Sequence, residues 1–360
     1  MRIKKALFLG TLCTAVSGMS LFAQAGVSYA KSAKETTEAS SEEATEVETE
    51  EETSEEVTYP ITIEHAFGET VIESKPERIA TVGWGNQDTP LALGVAPVGV
   101  STANYGMVTD NNLHPWTDEA FADLGVEKPV VFDDVDGLDF EQISDCNPDV
   151  ILAAYSGMTQ EDYDTLSEIA PVIPYKEKAW NTSWREQTIE NAEGMGMKPE
   201  GEKKVKEVED LIAEKLEEYP QLEGIPTAFC WISADDFSTF YVYLPTDPRA
   251  AYLLDLGFTL PESVQKLAGE TDDFNITVSR ENADQLDDIQ LMVVYGDEDL
   301  LKSLQEDKLM SQIPAIKNGA VALVDSTSAL AGACTPSILS IPYEIDEYLQ
   351  LLSDAAENIK

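Results

Sequence analysis

Glu141 and Tyr155 bracket one unit of this chain, and Glu281 and Tyr295 bracket a second unit with the same spacing. In each, the acid opens a short helical segment and an apolar run follows, Asp149-Val-Ile-Leu-Ala-Ala-Tyr155 and Ile289-Gln-Leu-Met-Val-Val-Tyr295. Each tyrosine precedes a small residue. A tyrosine at the end of a strand stands where open α/β sheets place ligand-binding groups, so two such edges facing one another predict a cleft. Other candidates join them: Trp84 just after an early apolar run, the group Trp180, Trp184 and Arg185, and the group Trp231, Tyr241, Tyr243 and Arg249. Rings with an apolar face and a polar edge, and planar guanidinium forks, suit non-covalent capture of a bulky ligand. The core is an equally good home for Trp231, Tyr241 and Tyr243, and surface pairing with an acid equally accounts for Arg185 or Arg249.

Catalysis has no comparable set of residues. The chain contains no G-x-S-x-G, Walker A or G-x-G-x-x-G pattern, and Gly83-Trp-Gly85 is too short to count as one. Its two histidines, His65 and His114, lack partners at ligand spacing, which excludes a histidine-built zinc or manganese site. A binding protein without an enzymatic role or cofactor is expected.

The elements that position these residues begin after a long preamble. Arg2, Lys4 and Lys5 precede an apolar run ending near Phe22, and Ala23-Gln24-Ala25 offers small residues for cleavage, so residues 1–25 read as an export signal. Cys13 follows Leu12 inside that run and does not mark a lipidation site. Residues 26–58, dominated by Glu, Ser, Thr and Ala, cannot build a core and read as an acidic, disordered stalk. Beyond it, apolar runs at 78–84, 95–101, 149–155 and 171–175 alternate with helical stretches such as 160–169, a βαβ pattern that predicts a mainly parallel sheet. From Trp184 to about Tyr219 the apolar spacing Val205, Val208, Ile212, Leu216 predicts a long helix, interrupted near Gly194-Met-Gly-Met-Lys-Pro199. Alternation resumes at 227–233, 239–244, 291–295 and 321–324 and closes on a helix over 340–357. The expected fold is α/β: an N-terminal lobe (59–182), a single long connecting helix (183–221) and a C-terminal lobe (222–360), with the ligand cleft between the lobes.

A formal charge of −45 repels phosphate backbones and anionic lipid, and no basic patch offsets it, so nucleic acid is excluded as a partner. Beyond the signal, Cys146, Cys230 and Cys334 are odd in number and widely spaced, which implies buried thiols and no disulfide framework.

Four segments, in order, resemble the substrate-binding proteins of iron–siderophore ABC importers. They are Pro76-Glu-Arg-Ile-Ala-Thr-Val-Gly-Trp-Gly-Asn-Gln-Asp-Thr89 with Leu91-Ala-Leu-Gly-Val-Ala-Pro-Val-Gly99, Gly137-Leu-Asp-Phe-Glu-Gln-Ile143 with Asn147-Pro-Asp-Val-Ile151, Leu309-Met-Ser-Gln-Ile-Pro-Ala-Ile-Lys-Asn-Gly319, and Ser340-Ile-Pro-Tyr343. The resemblance covers nearly everything after the stalk. It implies an exported, monomeric receptor at the cell surface or in the periplasm that captures a ferric siderophore and delivers it to a membrane permease. It further implies that Glu141 and Glu281, one on each lobe, dock against permease arginines. The absence of the lipidation cysteine carried by many Gram-positive members is a departure and leaves the mode of membrane association open. Siderophores supply hard oxygen ligands to iron themselves, so aromatic faces and a few arginines suffice to hold the chelate. Hydroxamate, catecholate and carboxylate chelates stay open on the sequence. So do haem and cobalamin within the same architecture, and a surface adhesin outside it.

Overall fold

The computed structural model describes residues 57–360. The expected export signal and nearly all of the expected stalk lie outside the described residues. A small hairpin of β1 (Ile61–His65) and β2 (Gly68–Ile72) opens the described chain. The first lobe then builds a five-stranded sheet from β3 (Ile79–Thr81), β4 (Gly99–Ser101), β5 (Val131–Phe132), β6 (Val150–Ala153) and β7 (Val172–Pro174), in the order β5-β4-β3-β6-β7. Every pair in it is parallel. Such strands are covered on both faces, which is why β3, β6 and β7 read as unbroken apolar runs and are buried along their whole length. Helices α1 (Asp88–Ala92), α2 (Pro115–Asp123), α3 (Phe140–Asp145) and α4 (Gln160–Ser167) link the strands.

The connection is two helices packed side by side, α5 (Trp184–Gly194) and α6 (Lys198–Leu216), where the sequence suggests one interrupted helix. A capping box starts α5: the Ser183 hydroxyl accepts from Glu186 N while the Glu186 carboxylate accepts from Ser183 N. The break falls at Gly196, whose φ of 65° would strain a residue with a side chain. Helix α6 buries Val205, Val208 and Ile212 against the second lobe, the stripe its spacing predicts.

The second lobe contains β8 (Thr227–Trp231), β9 (Thr239–Tyr243), α7 (Pro248–Asp255), α8 (Glu262–Ala268), β10 (Asn275–Ser279), β11 (Leu291–Tyr295), α9 (Glu298–Glu306), α10 (Pro314–Asn318), β12 (Val321–Val324), α11 (Ala329–Ala333) and α12 (Ser340–Ala356). Its sheet order, β10-β9-β8-β11-β12, repeats that of the first lobe, with β6 and β11 in equivalent places. This sheet is mixed, because β9 alone runs against its neighbours. The connection 232–238 is too short for a helical crossover, so the chain must return antiparallel. Cys146, Cys230 and Cys334 are free and buried.

The lobes touch at the base of the cleft through polar contacts. The Asp88 carboxylate, 1% exposed, accepts from Trp116 Nε1 (2.9 Å) and Thr117 Oγ1 (2.8 Å) of the first lobe and from Ser337 Oγ of the second. Met107 N donates to Ser328 O (2.9 Å) across the same junction. Burial pushes the Asp88 carboxyl up to about 6 against the pull of its three donors. Burial likewise takes Glu344 to about 7, helped by Glu347, and Glu190 to about 8, helped by Glu186. All three are raised above their ordinary values, so the stability they lend is complete below those values and is lost as pH rises through about 6 to 8. Melting followed by circular dichroism should therefore give a Tm higher by about 3 °C or more at about pH 5.5 than at about pH 8. A Tm that is flat or rises with pH would contradict this assignment.

Candidate functional site

The turn after β3 holds the first aromatic. Gly83 and Gly85 flank Trp84 with φ of 85° and 67°, and a Cβ on Gly83 would lie 2.8 Å from Tyr155 O. Glycine is required there for the turn to approach the end of β6. Trp84 N donates to Tyr155 O (3.2 Å), and Gln187 Nε2 of α5 donates to Trp84 O (2.7 Å). Asn86, fully buried, ties the turn down by donating to Val82 O and Tyr155 O and accepting from Tyr155 N. Tyr155 is thereby fixed just past β6, its ring edge-on to Trp180 at 5.1 Å.

From the second lobe, Tyr295 ends β11 and meets Tyr105 of the first lobe edge-on at 5.2 Å. Arg249 lies in the first turn of α7, with Nε and Nη2 donating to Asp247 Oδ1 (2.8 Å) and Oδ2 (2.6 Å) and the guanidinium 3.9 Å over the Tyr243 ring. Burial opposes the Arg249 charge, but the hydrogen bonds and charge of Asp247 outweigh it and hold the guanidinium above its ordinary range. Burial raises the Tyr155 and Tyr295 hydroxyls and takes that of Tyr105 to about 12. These residues act as neutral phenols.

Trp84, Tyr105, Tyr155 and Trp180 of the first lobe and Asp247, Arg249, Phe274, Tyr295 and Thr335 of the second enclose a cavity of about 320 Å³. A second cavity of about 350 Å³ lies wholly in the first lobe and shares Trp84 and Trp180 with the first. Its wall includes Gln87, Ser101, Thr102, Asn104, His114, Asp134 and Asp162. Burial raises Asp134, opposed by hydrogen bonds from Ser101 Oγ and Thr102 N. His114, stacked on Trp116 at 4.5 Å, is lowered by burial to about 4 and is neutral near pH 7.

Five of the residues singled out from the sequence therefore meet at the inter-lobe cavity: Trp84, Tyr155, Trp180, Arg249 and Tyr295. The other five do not line it. Trp184, 3% exposed, is turned into the core by the helix start at Ser183 and donates from Nε1 to Asp255 (3.0 Å). Arg185 pairs with Glu209 (2.6 Å) and Asp255 (2.7 Å), clamping α5 to α6 and α7. Trp231 and Tyr241 stack on each other across β8 and β9 at 5.4 Å, part-exposed and outside both cavities. Tyr243 is buried beneath Arg249 and supports it. Tyr105, Asp247, Phe274 and Thr335 escaped the sequence reading; only the Asp-Pro-Arg run 247–249, a capped helix start, carried a local signal for one of them.

Glu141 sits in the first turn of α3 behind the Asp139 cap, and Glu281 sits in the first turn of the 3-10 segment Arg280–Gln285 behind the Ser279 cap. Both are exposed. Among the described residues neither side chain makes an ion pair.

The sequence pattern of the periplasmic binding protein family matches residues 79–327. Among solved structures, Streptococcus pneumoniae TIGR4 PiaA in complex with ferrichrome is 48% identical with a TM-score of 0.80, covering 83% of this chain and all of that one. Staphylococcus aureus SirA complexed with staphyloferrin B, at 23% identity and a TM-score of 0.63 over 83% of this chain and 99% of its own, shares the fold. The petrobactin-binding protein YclQ of Bacillus subtilis is 25% identical over 305 residues, covering 81% of this chain and 88% of its own.

Proposed function

This chain belongs to the periplasmic binding protein family, and from that premise we infer that it is an extracytoplasmic receptor that captures a ferric siderophore and hands it to an ABC permease. The observation that carries the reading is the inter-lobe cavity, where rings from both lobes surround one arginine at the ends of two sheets. Such walls hold a preformed chelate by contact area and a few hydrogen bonds, without supplying iron ligands.

The charge of the walls selects among chelates. Arg249 is the one arginine or lysine lining either cavity, and Asp247 already neutralises it through two hydrogen bonds. Hydroxamate arms, each singly charged, neutralise ferric iron, whereas catecholate arms, each doubly charged, leave a strongly anionic complex. A neutral ferric trihydroxamate is the class that this site fits, and the ferrichrome bound by PiaA agrees with it. Glu141 and Glu281 then serve as the docking acids, one per lobe, and the receptor works as a monomer.

Calorimetric titration with a ferric trihydroxamate, a ferric tris-catecholate, haem and cobalamin tests this reading. Tight binding of the trihydroxamate with weak or absent binding of the anionic chelate is expected. Preference for haem or cobalamin would move the receptor to another ligand, and silence across the panel would overturn the small-ligand reading.

Closure on binding should be small. Helix α6 spans the lobes, and the Asp88–Ser337 and Met107–Ser328 contacts pin them at the base. Solution scattering should show nearly superimposable apo and bound profiles, and a large compaction on binding would contradict the pin.

A further inference from the structure

The cavity confined to the first lobe adjoins the ligand cleft, sharing Trp84 and Trp180 with it, and its wall chemistry differs from that of the cleft. Its wall carries two carboxyl groups, Asp134 and Asp162, and no lysine or arginine, and its His114 is held neutral near pH 7 by burial. The Asp162 carboxylate is committed to the cap of α4, where it accepts from Thr159 N (2.9 Å) and Thr159 Oγ1 (2.7 Å). Asp134 has the Ser101 hydroxyl and a longer bond from Thr102 N (3.4 Å) as its donors, and among the described residues no basic side chain forms an ion pair with it. A second observation is independent of charge. Gln87, one of the residues of this wall, is only 5% exposed, and its Oε1 is a buried acceptor without a donor. Two indole rings complete the wall.

We propose that this chamber is a subsite for a protonated primary amine carried on an aliphatic arm of the ferric chelate. The juxtaposition asks for such a group. An ammonium supplies several N–H donors and no acceptor, which matches a carboxylate and an unpartnered carbonyl oxygen. Its charge is attracted by indole faces, and its stem is apolar enough to lie along them. An anionic arm would meet the carboxylates of Asp134 and Asp162 with no lysine or arginine on this wall to offset them. The arm enters the chamber while the iron core stays in the inter-lobe cleft, so the receptor discriminates among neutral-core chelates by what hangs from them.

This inference rests on the receptor reading, and the test separates the two. The probes are two ferric linear trihydroxamates that differ only in the terminal group, a free amine or its N-acetyl derivative, titrated by calorimetry into the protein and its Asp134→Asn and Asp134→Glu variants. The wild type should bind the amine form about tenfold more tightly, the scale of one charge-assisted hydrogen bond. Asp134→Asn should collapse that ratio towards unity, and Asp134→Glu should restore part of it. Equal affinities in the wild type, or a ratio that survives Asp134→Asn, would overturn the subsite while leaving the receptor intact. Failure of the wild type to bind either chelate would overturn the receptor reading and the subsite with it.

Discussion

Replacing Glu141 and Glu281 together by alanine should reduce chelate-dependent iron uptake to background while changing the affinity of the isolated receptor by less than about twofold, since both lie outside the pocket and rim charges act on docking. Both side chains are exposed and stand at the starts of short helical turns whose caps come from other residues, Asp139 and Ser279. Removing them should cost at most about 0.5 kcal/mol of stability, the usual scale for surface substitutions away from caps and cores. On the proposed docking role, what is lost is a matched pair of negative points, one on each lobe, that would orient the receptor on a positively charged partner. Each single variant should retain intermediate uptake, because one correct contact still biases the encounter. Radiolabelled iron uptake in cells carrying each variant, set beside calorimetry on the purified proteins, checks both halves. Undiminished uptake would place docking elsewhere, and a loss of chelate affinity would move these residues into the ligand site.

The second large effect concerns Trp84, the indole shared by both cavities and held by the tight turn Gly83–Gly85. Trp84→Ala removes a ring around which the whole site is arranged, and affinity should fall by about 30-fold or more, as for a buried aromatic hot spot. Trp231→Ala should leave affinity within about twofold, since Trp231 stacks on Tyr241 outside both cavities. The pair of variants separates two accounts that the sequence alone leaves level. Equal losses from the two would mean that the ligand spreads over the face of β8 and β9, and no loss from Trp84→Ala would remove the cleft from the mechanism.

Much of this arrangement is legible in the sequence because it is periodic. Strand β6 reads as Val150-Ile-Leu-Ala because a parallel strand buried on both faces has no polar position, and the Tyr that follows marks the sheet edge. The apolar run of β6 recurs in β11, with Tyr155 just past the one and Tyr295 ending the other, which announces two lobes, and the repeated strand order matches it. Side-chain direction is a different matter. Trp184 and Trp180 are four residues apart, yet a helix start between them sends Trp184 into the core while Trp180, with φ of 60°, stays on the cleft wall. Nothing in residue type distinguishes them. Arg185 and Arg249 also look alike in sequence, and only the fold shows that one binds helices together while the other faces the cleft. Tyr105, Phe274 and Thr335 lie in irregular connections, where neither period nor cap signals apply, so their convergence is visible only in three dimensions. The neutralisation of Arg249 by Asp247, on which the ligand charge depends, is likewise a fact of geometry.

The most direct measurement is a tryptophan-fluorescence titration of the protein with a neutral ferric trihydroxamate and with the same chelator free of iron. With Trp84 and Trp180 on the wall of the cleft, the account predicts saturable quenching by the ferric form at one-to-one stoichiometry, and a much weaker response to the iron-free form. Emission from a folded protein that is unchanged by the ferric chelate, or quenched equally by both forms, would contradict a receptor for the ferric complex.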